Sequence, residues 1–152
     1  MKIVGLVDPA TSRAEAVLKA KSLTFAASAY ADTPIYPSVK DAISALSSNP
    51  PEMILLGSPP AFRGTTDPSK GYNAEVQLTE SFPNAALFIE KPVSTGSVEE
   101  ALKTAEYLEG KSNLVSVGYM LRYSAAVQKM KQILKENNLE VMMTSARYVM
   151  GE

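Results

Sequence analysis

Five short apolar runs, each closed by a turn signal and separated by a helical pattern, constrain this chain more than any other feature. Residues 2–7 (Lys-Ile-Val-Gly-Leu-Val), 34–37, 53–56, 85–89 and 114–117 read as strands, and the continuous apolar ones belong in a sheet covered on both faces. Such a strand needs a helix to return the chain beside it, so successive strands run parallel. The fold class is therefore α/β: a doubly wound, mostly parallel, five-stranded sheet. In sheets of this kind ligands bind beyond the carboxyl ends of the strands.

The helices carry local start and stop signals. Ser12 with Glu15 three residues later spells a capping box, with Val17 and Leu18 facing inward. Ser38 with Asp41 spells another, followed by Val39, Ala42, Ile43 and Leu46 at helical spacing; Asn49-Pro50-Pro51 stops it. Residues 61–71 read as loop and 72–82 as a weak helix. Ser97 with Glu100 opens a helix with Ala101, Leu102, Ala105 and Leu108 on one face, and Gly110 stands where a left-handed cap belongs. Ser124 starts a last helix, with a stripe of Val127, Met130, Ile133 and Leu134, which Asn137-Asn138 ends. Residues 140–149 lean towards a final strand.

Composition removes whole classes of chemistry. The 152 residues include no Cys, so disulfides, thiolate nucleophiles and zinc–thiolate sites are excluded. They include no His, which excludes imidazole triads and imidazole metal ligands. No close Asp/Glu cluster has ligand spacing, so no metal is expected, and acid–base work falls to Lys, Tyr, Asp or Glu. With 15 Lys and Arg against 16 Asp and Glu, the lysines scattered, there is no footprint for nucleic acid. No apolar run reaches the roughly 18 residues of a membrane span. Only residues 3–7 separate Lys2 from Asp8, too few for a signal-peptide core. A soluble, cytoplasmic chain without membrane partners is expected.

The residues just after the strands are the ones to interrogate. Asp8 can take the hydroxyls of an adenosine ribose, with Arg13 nearby favouring a 2′-phosphate instead; the plainer reading is a turn into the next helix. No G-x-G-x-x-G occurs, and nothing replaces that cradle for a pyrophosphate. Glu90-Lys91-Pro92 follows a strand directly, where an ammonium can hold a substrate hydroxyl and stabilise developing negative charge; a solvated loop lysine is the commoner explanation of such a tripeptide. Tyr119 and Arg122-Tyr123 either line a substrate pocket or form an ordinary polar turn. Lys129, Lys131 and Lys135 read as a solvated helix face, and the methionines as core filling.

Taken in order, Val4-Gly5-Leu6-Val7-Asp8, Leu55-Leu56-Gly57-Ser58-Pro59-Pro60, Phe88-Ile89-Glu90-Lys91-Pro92-Val93 and Val117-Gly118-Tyr119-Met120-Leu121-Arg122-Tyr123 resemble the Gfo/Idh/MocA family of NAD(P)-dependent sugar and polyol oxidoreductases. The resemblance implies a Rossmann-like domain over residues 1–123, with residues 124–152 as the helix and strand that start a second domain. It implies NAD or NADP as cofactor. Asp8, Ser58, Pro59, Pro60 and Glu90 would be cofactor-binding residues. Lys91 would be the catalytic-site lysine, contacting nicotinamide ribose and substrate, and Tyr119 and Arg122 would approach the substrate at the nicotinamide end.

Departures from the family shape the expectation as much. The chain starts at what resembles the family's second strand, so the first strand and its glycine loop are not in it. Arg63 stands where the family often has His, and the family's Asp-x-x-x-His element is missing. Without the central strand, two half-sheets with exposed edges would remain. Either the residue 2–7 strand moves to the centre, giving the order 2-1-3-4-5, or two chains pair strands as a homodimer, with residues 140–149 supplying an edge. The expected function is a truncated or remodelled relative of these oxidoreductases, inactive or weakly dinucleotide-binding as a lone chain. The alternatives are a binding or regulatory module acting through protein contacts, and a fragment of a full enzyme.

Overall fold

In the computed structural model, which describes residues 1–145 and 147, every strand pairing is parallel. Residues Met1–Gly118 form one compact unit. It begins with β1 (Leu6–Val7), crosses through α1 (Thr11–Lys21) and α2 (Ala27–Tyr30), and returns as β2 (Ile35–Tyr36). Leu6 stands opposite Ile35 and Val7 opposite Tyr36. A Cβ on Gly5 would come within 2.8 Å of the Tyr36 ring, so only glycine lets the chain enter β1 on this path.

Helix α3 (Val39–Leu46) leads into a second sheet of β3 (Met53–Leu56), β4 (Ala86–Ile89) and β5 (Val115–Val117), in that order. Its crossovers are α4 (Ala74–Ser81) and α5 (Val98–Glu109). Each β3 residue pairs with one of β4, from Met53 opposite Ala86 to Leu56 opposite Ile89. The parallel α/β class thus holds, but the strands form sheets of two and three.

The single five-stranded sheet in the order 2-1-3-4-5 does not form. At the N-terminus the chain is tied to the α2–β2 side. The Ile3 amide donates to the Ala29 carbonyl at 2.7 Å, and the Ile3 carbonyl accepts from Thr33 Oγ1 at 2.9 Å. These bonds hold the chain before Leu6 beside α2, leaving only Leu6 and Val7 in strand pairing. The edges of β1 and β3 turned away from β2 and β4 stay unpaired.

The core lies on one face of the three-stranded sheet, where Leu56, Leu87 and Ile89 pack with Leu78, Phe82, Ala85 and Leu108. Burying a side chain of this size contributes about 1.5–3 kcal/mol. The opposite face is open at β3, where Met53 and Leu55 are 54% and 67% exposed, and half-buried at Ala86 and Phe88 of β4; Leu114, just before β5, is 76% exposed.

Several helix ends depart from their spelling. The capping boxes at Ser38 and Ser97 form, each hydroxyl accepting the amide three residues on. At Ser12 none forms. Asp8 Oδ1 accepts the Ala10 amide at 2.8 Å, and α1 starts from Ala10 without a side-chain cap. Gly110 ends α5 in a right-handed conformation, with φ −76°. On α5 the buried positions are Thr104 and Leu108, while Leu102 and Ala105 face out; on α1 Ala14 is buried and Val17 is exposed.

The second compact unit begins at Tyr119. It holds a 3₁₀ turn at Met120–Tyr123 and α6 (Ala125–Glu136), which ends where Asn138 turns left-handed at φ 49°. Residues 140–145 and 147 form no strand; the rest of the expected 140–149 strand lies outside the described residues.

Candidate active site

Strand pairing brings the Pro-Pro turn and the Glu-Lys-Pro turn together. The Glu90 amide donates to the Leu56 carbonyl at 3.0 Å, so the loops after β3 and β4 leave the sheet side by side. At these strand ends lies an open depression of about 230 Å³ lined by Leu55, Leu56, Gly57, Phe88 and Glu90. Leu55 and Phe88 are register partners and form its apolar wall. Gly57 keeps it open, since a Cβ there would meet nothing within 4 Å.

Polar groups stand at the same end. Ser58 Oγ is buried and has no hydrogen-bond partner among the described residues. Pro59 accepts the Phe62 amide at 2.9 Å, and Pro60 opens the 3₁₀ turn Pro60–Phe62. Glu90 Oε2 accepts the Lys91 amide at 2.8 Å, fixing the backbone that carries the lysine. Lys91 is exposed, its ammonium makes no hydrogen bond or ion pair among the described residues, and its peptide bond to Pro92 is cis.

Asp8 occupies the equivalent strand end of the two-stranded sheet, its amide bonded to the Tyr36 carbonyl at 3.1 Å. Its carboxylate is already engaged: Arg13 donates Nε to Oδ2 at 3.0 Å and Nη2 to Oδ1 at 2.8 Å. The Arg13 hydrogen bonds, and then the Ala10 amide, hold its carboxyl below the ordinary carboxylate range. Tyr119 and Arg122 belong to the second unit, where the Tyr119 carbonyl accepts the Arg122 amide at 3.0 Å and the Arg122 carbonyl accepts from Gln128.

Residues to which sequence reasoning gave no such role secure these loops. Arg63 is 3% exposed and donates Nε to the Ser58 carbonyl at 2.7 Å and Nη1 to the Val93 carbonyl at 3.3 Å. Glu75, on α4, is 1% exposed and accepts the Gly64 amide at 3.2 Å. Burial pushes its carboxyl up, opposed in part by the backbone amides and by Arg63. Glu100, on α5, accepts from Thr65 Oγ1 at 3.3 Å and pairs with Lys70. The signal available in the sequence was a lone Arg-Gly pair in a loop otherwise poor in cations.

Among the described residues, no group of three or more metal-ligating side chains occurs, and no helix is long and apolar enough to cross a membrane. Residues 1–119 match the oxidoreductase family with an NAD-binding Rossmann fold, and residues 122–152 match a putative oxidoreductase C-terminal domain. Two uncharacterized proteins of Schizosaccharomyces pombe, UNK4.17 and C12C2.04, are 43% and 38% identical to the chain over 151 residues, 97% of its length. The chain spans 36% and 39% of those relatives. No solved structure matches it significantly. Given the family match over 1–119, this chain belongs to the Gfo/Idh/MocA oxidoreductases with an NAD-binding Rossmann fold.

Proposed function

We propose that residues 1–118 carry the nicotinamide side of a dinucleotide site, and that the 152-residue chain alone binds NAD or NADP weakly without turning over a sugar or polyol. The observation that carries this reading is the apolar depression between Gly57 and Glu90, with the orphaned Ser58 hydroxyl one residue after Gly57 and the Lys91 turn one residue after Glu90. The residues fit the cofactor in part. A depression of about 230 Å³ suits the nicotinamide end better than a whole dinucleotide, since pockets for drug-sized ligands run about 300–1,000 Å³. Between Val7 and Thr11 the turn Asp8-Pro9-Ala10 offers no glycine to admit a pyrophosphate.

When bound, the nicotinamide ring supplies hydride transfer. The chain's own residues bind and orient. Ser58 donates to the cofactor, Pro59 and Pro60 pack along it, and Glu90 holds the backbone of Lys91. The Lys91 ammonium holds the ribose and a substrate hydroxyl. Asp8 accepts from the adenosine ribose of NAD by sharing its carboxylate with Arg13; Arg13 favours the 2′-phosphate of NADP instead. No imidazole is present to move the substrate proton, which supports the expectation that the lone chain does not turn over.

Thermal melts with NAD, NADH, NADP and NADPH test this, because a ligand of the native state raises stability by RT ln(1 + [L]/Kd). The reading expects a small shift that Asp8→Ala or Lys91→Ala abolishes. An identical melt in millimolar cofactor overturns it, and so does an ordinary enzymatic rate with a sugar alcohol.

A second reading, a binding module that pairs as a homodimer in the cytoplasm, draws on the unpaired edges of β1 and β3 and the exposed side chains of Met53, Leu55 and Leu114. Light scattering decides it: a monomeric mass across the concentration range removes this reading.

A further inference from the structure

We infer that Arg63 and Glu75 are positioning residues, which through the Arg63-Gly64 turn set the spacing between the Ser58 loop and the Lys91 loop. The inference rests on the cofactor reading above for its effect on binding, while the spacing itself is measurable without any cofactor.

Three independent contacts converge on this turn. The Arg63 guanidinium bridges carbonyls on the two loops, Ser58 at 2.7 Å and Val93 at 3.3 Å, and is buried as it does so. Its planar fork offers separate donors in fixed directions, which a lysine ammonium does not. Gly64 sits at φ +83°, and a Cβ there would lie 2.6 Å from both the Val93 carbonyl oxygen and Ser94 Cβ. Backbone therefore packs on backbone two to three residues beyond Lys91, at a spacing only glycine allows. Finally, Glu75 accepts the Gly64 amide at 3.2 Å from the first turn of α4, anchoring the turn to a helix of the core.

A buried arginine in a loop and a buried glutamate at a helix start are costly unless their donors and acceptors are used. Here their hydrogen bonds go to the backbone of the loops that carry Ser58 and Lys91. Both termini of the connection are thus fixed relative to one sheet, and the lysine enters the site from a held backbone.

The test uses the full chain, whose lack of native Cys makes introduced thiols unique. Ala61 and Thr95 are exposed positions on the two loops, so Ala61→Cys and Thr95→Cys carry a spin-label pair. Electron paramagnetic resonance then reads the inter-loop separation. The parent gives one narrow distribution. Arg63→Gln and Glu75→Ala broaden it while the melt stays cooperative, and Glu75→Gln, which keeps an acceptor for the Gly64 amide, restores it. In the same variants apparent cofactor affinity falls roughly tenfold, the order expected when positioned groups drift. Should Arg63→Gln not fold, Arg63→Lys, which keeps the charge but not the fork, broadens the distribution instead. A narrow distribution unchanged in the folded Arg63 and Glu75 variants overturns the inference. Absent cofactor binding by the parent overturns the proposed function alone, since the spin-label separation still decides the positioning role.

Discussion

Arg13 grips the Asp8 carboxylate with two donors, at 3.0 and 2.8 Å, across one turn of chain that links β1 to α1. A ribose diol must share that carboxylate, whereas a 2′-phosphate would draw the guanidinium away and leave Asp8 as a repelling neighbour. Arg13→Ala therefore shifts preference toward NAD, read as a larger melt shift with NADH than with NADPH. The pair is solvent-exposed, so the melt without cofactor moves little. What stability the lowered carboxyl contributes is present above about pH 3.8 and fades as pH falls through its lower folded value.

Glu75 gives the opposite pH dependence. Burial raises its folded pKa above the ordinary 4.5, so the stability it contributes is complete below that value. It is lost progressively as pH rises through the raised folded value, because the native state must then bury a charge that the unfolded chain exposes to water. Glu75→Gln removes the charge and keeps an acceptor for Gly64. Denaturant titrations at about pH 4 and about pH 7 should show the variant gaining on the parent at the higher pH. Equal differences at both would mean that Glu75 does not titrate differently in the folded state.

The helix caps make a matched pair. Ser38 Oγ accepts the Asp41 amide at 3.2 Å, satisfying an orphan donor of α3, while Ser12 caps nothing. Ser38→Ala should cost about 1 kcal/mol. Ser12→Ala should be close to neutral, since alanine suits the interior position that Ser12 occupies. Midpoint shifts in urea at constant slope measure both.

The pair also shows what the sequence could and could not disclose. Capping at Ser38 and Ser97 is decided within three residues, so spelling suffices. At Ser12 the same spelling loses to Asp8, which takes the Ala10 amide, and α1 starts two residues early. The inward face of α5 follows neither Leu102 nor Ala105. Glu100 is tied to Lys70 and Thr65, contacts 30 and 35 residues away that no local pattern contains. Strand ends were legible from apolar runs, and so was the position of Ser58, Glu90 and Lys91 just after β3 and β4. Arg63 was not, because its partner Val93 lies 30 residues on and a loop has no periodicity to betray a buried side. That β1 pairs with β2 alone was not legible, because apolar runs mark strands but not their neighbours; in place of the 2-1-3-4-5 order stand sheets of two and three strands.

Two leucines one strand apart should respond in opposite ways. Leu87 on β4 is 2% exposed and touches the core on one face of the sheet. Leu87→Ala removes buried methyl groups and leaves a cavity, which costs about 2–5 kcal/mol. Leu55 on β3 is 67% exposed on the opposite face, beside an edge that makes no ladder. Leu55→Lys gives up little packing and places a charge on that edge, a substitution that discourages strand pairing between chains. Stability of the Leu55→Lys chain should stay within about 0.5 kcal/mol of the parent, the range of ordinary surface changes. Any concentration-dependent mass in light scattering should fall towards the monomer. A parent that associates just as strongly with lysine at position 55 would place the contact elsewhere than the free edge of β3.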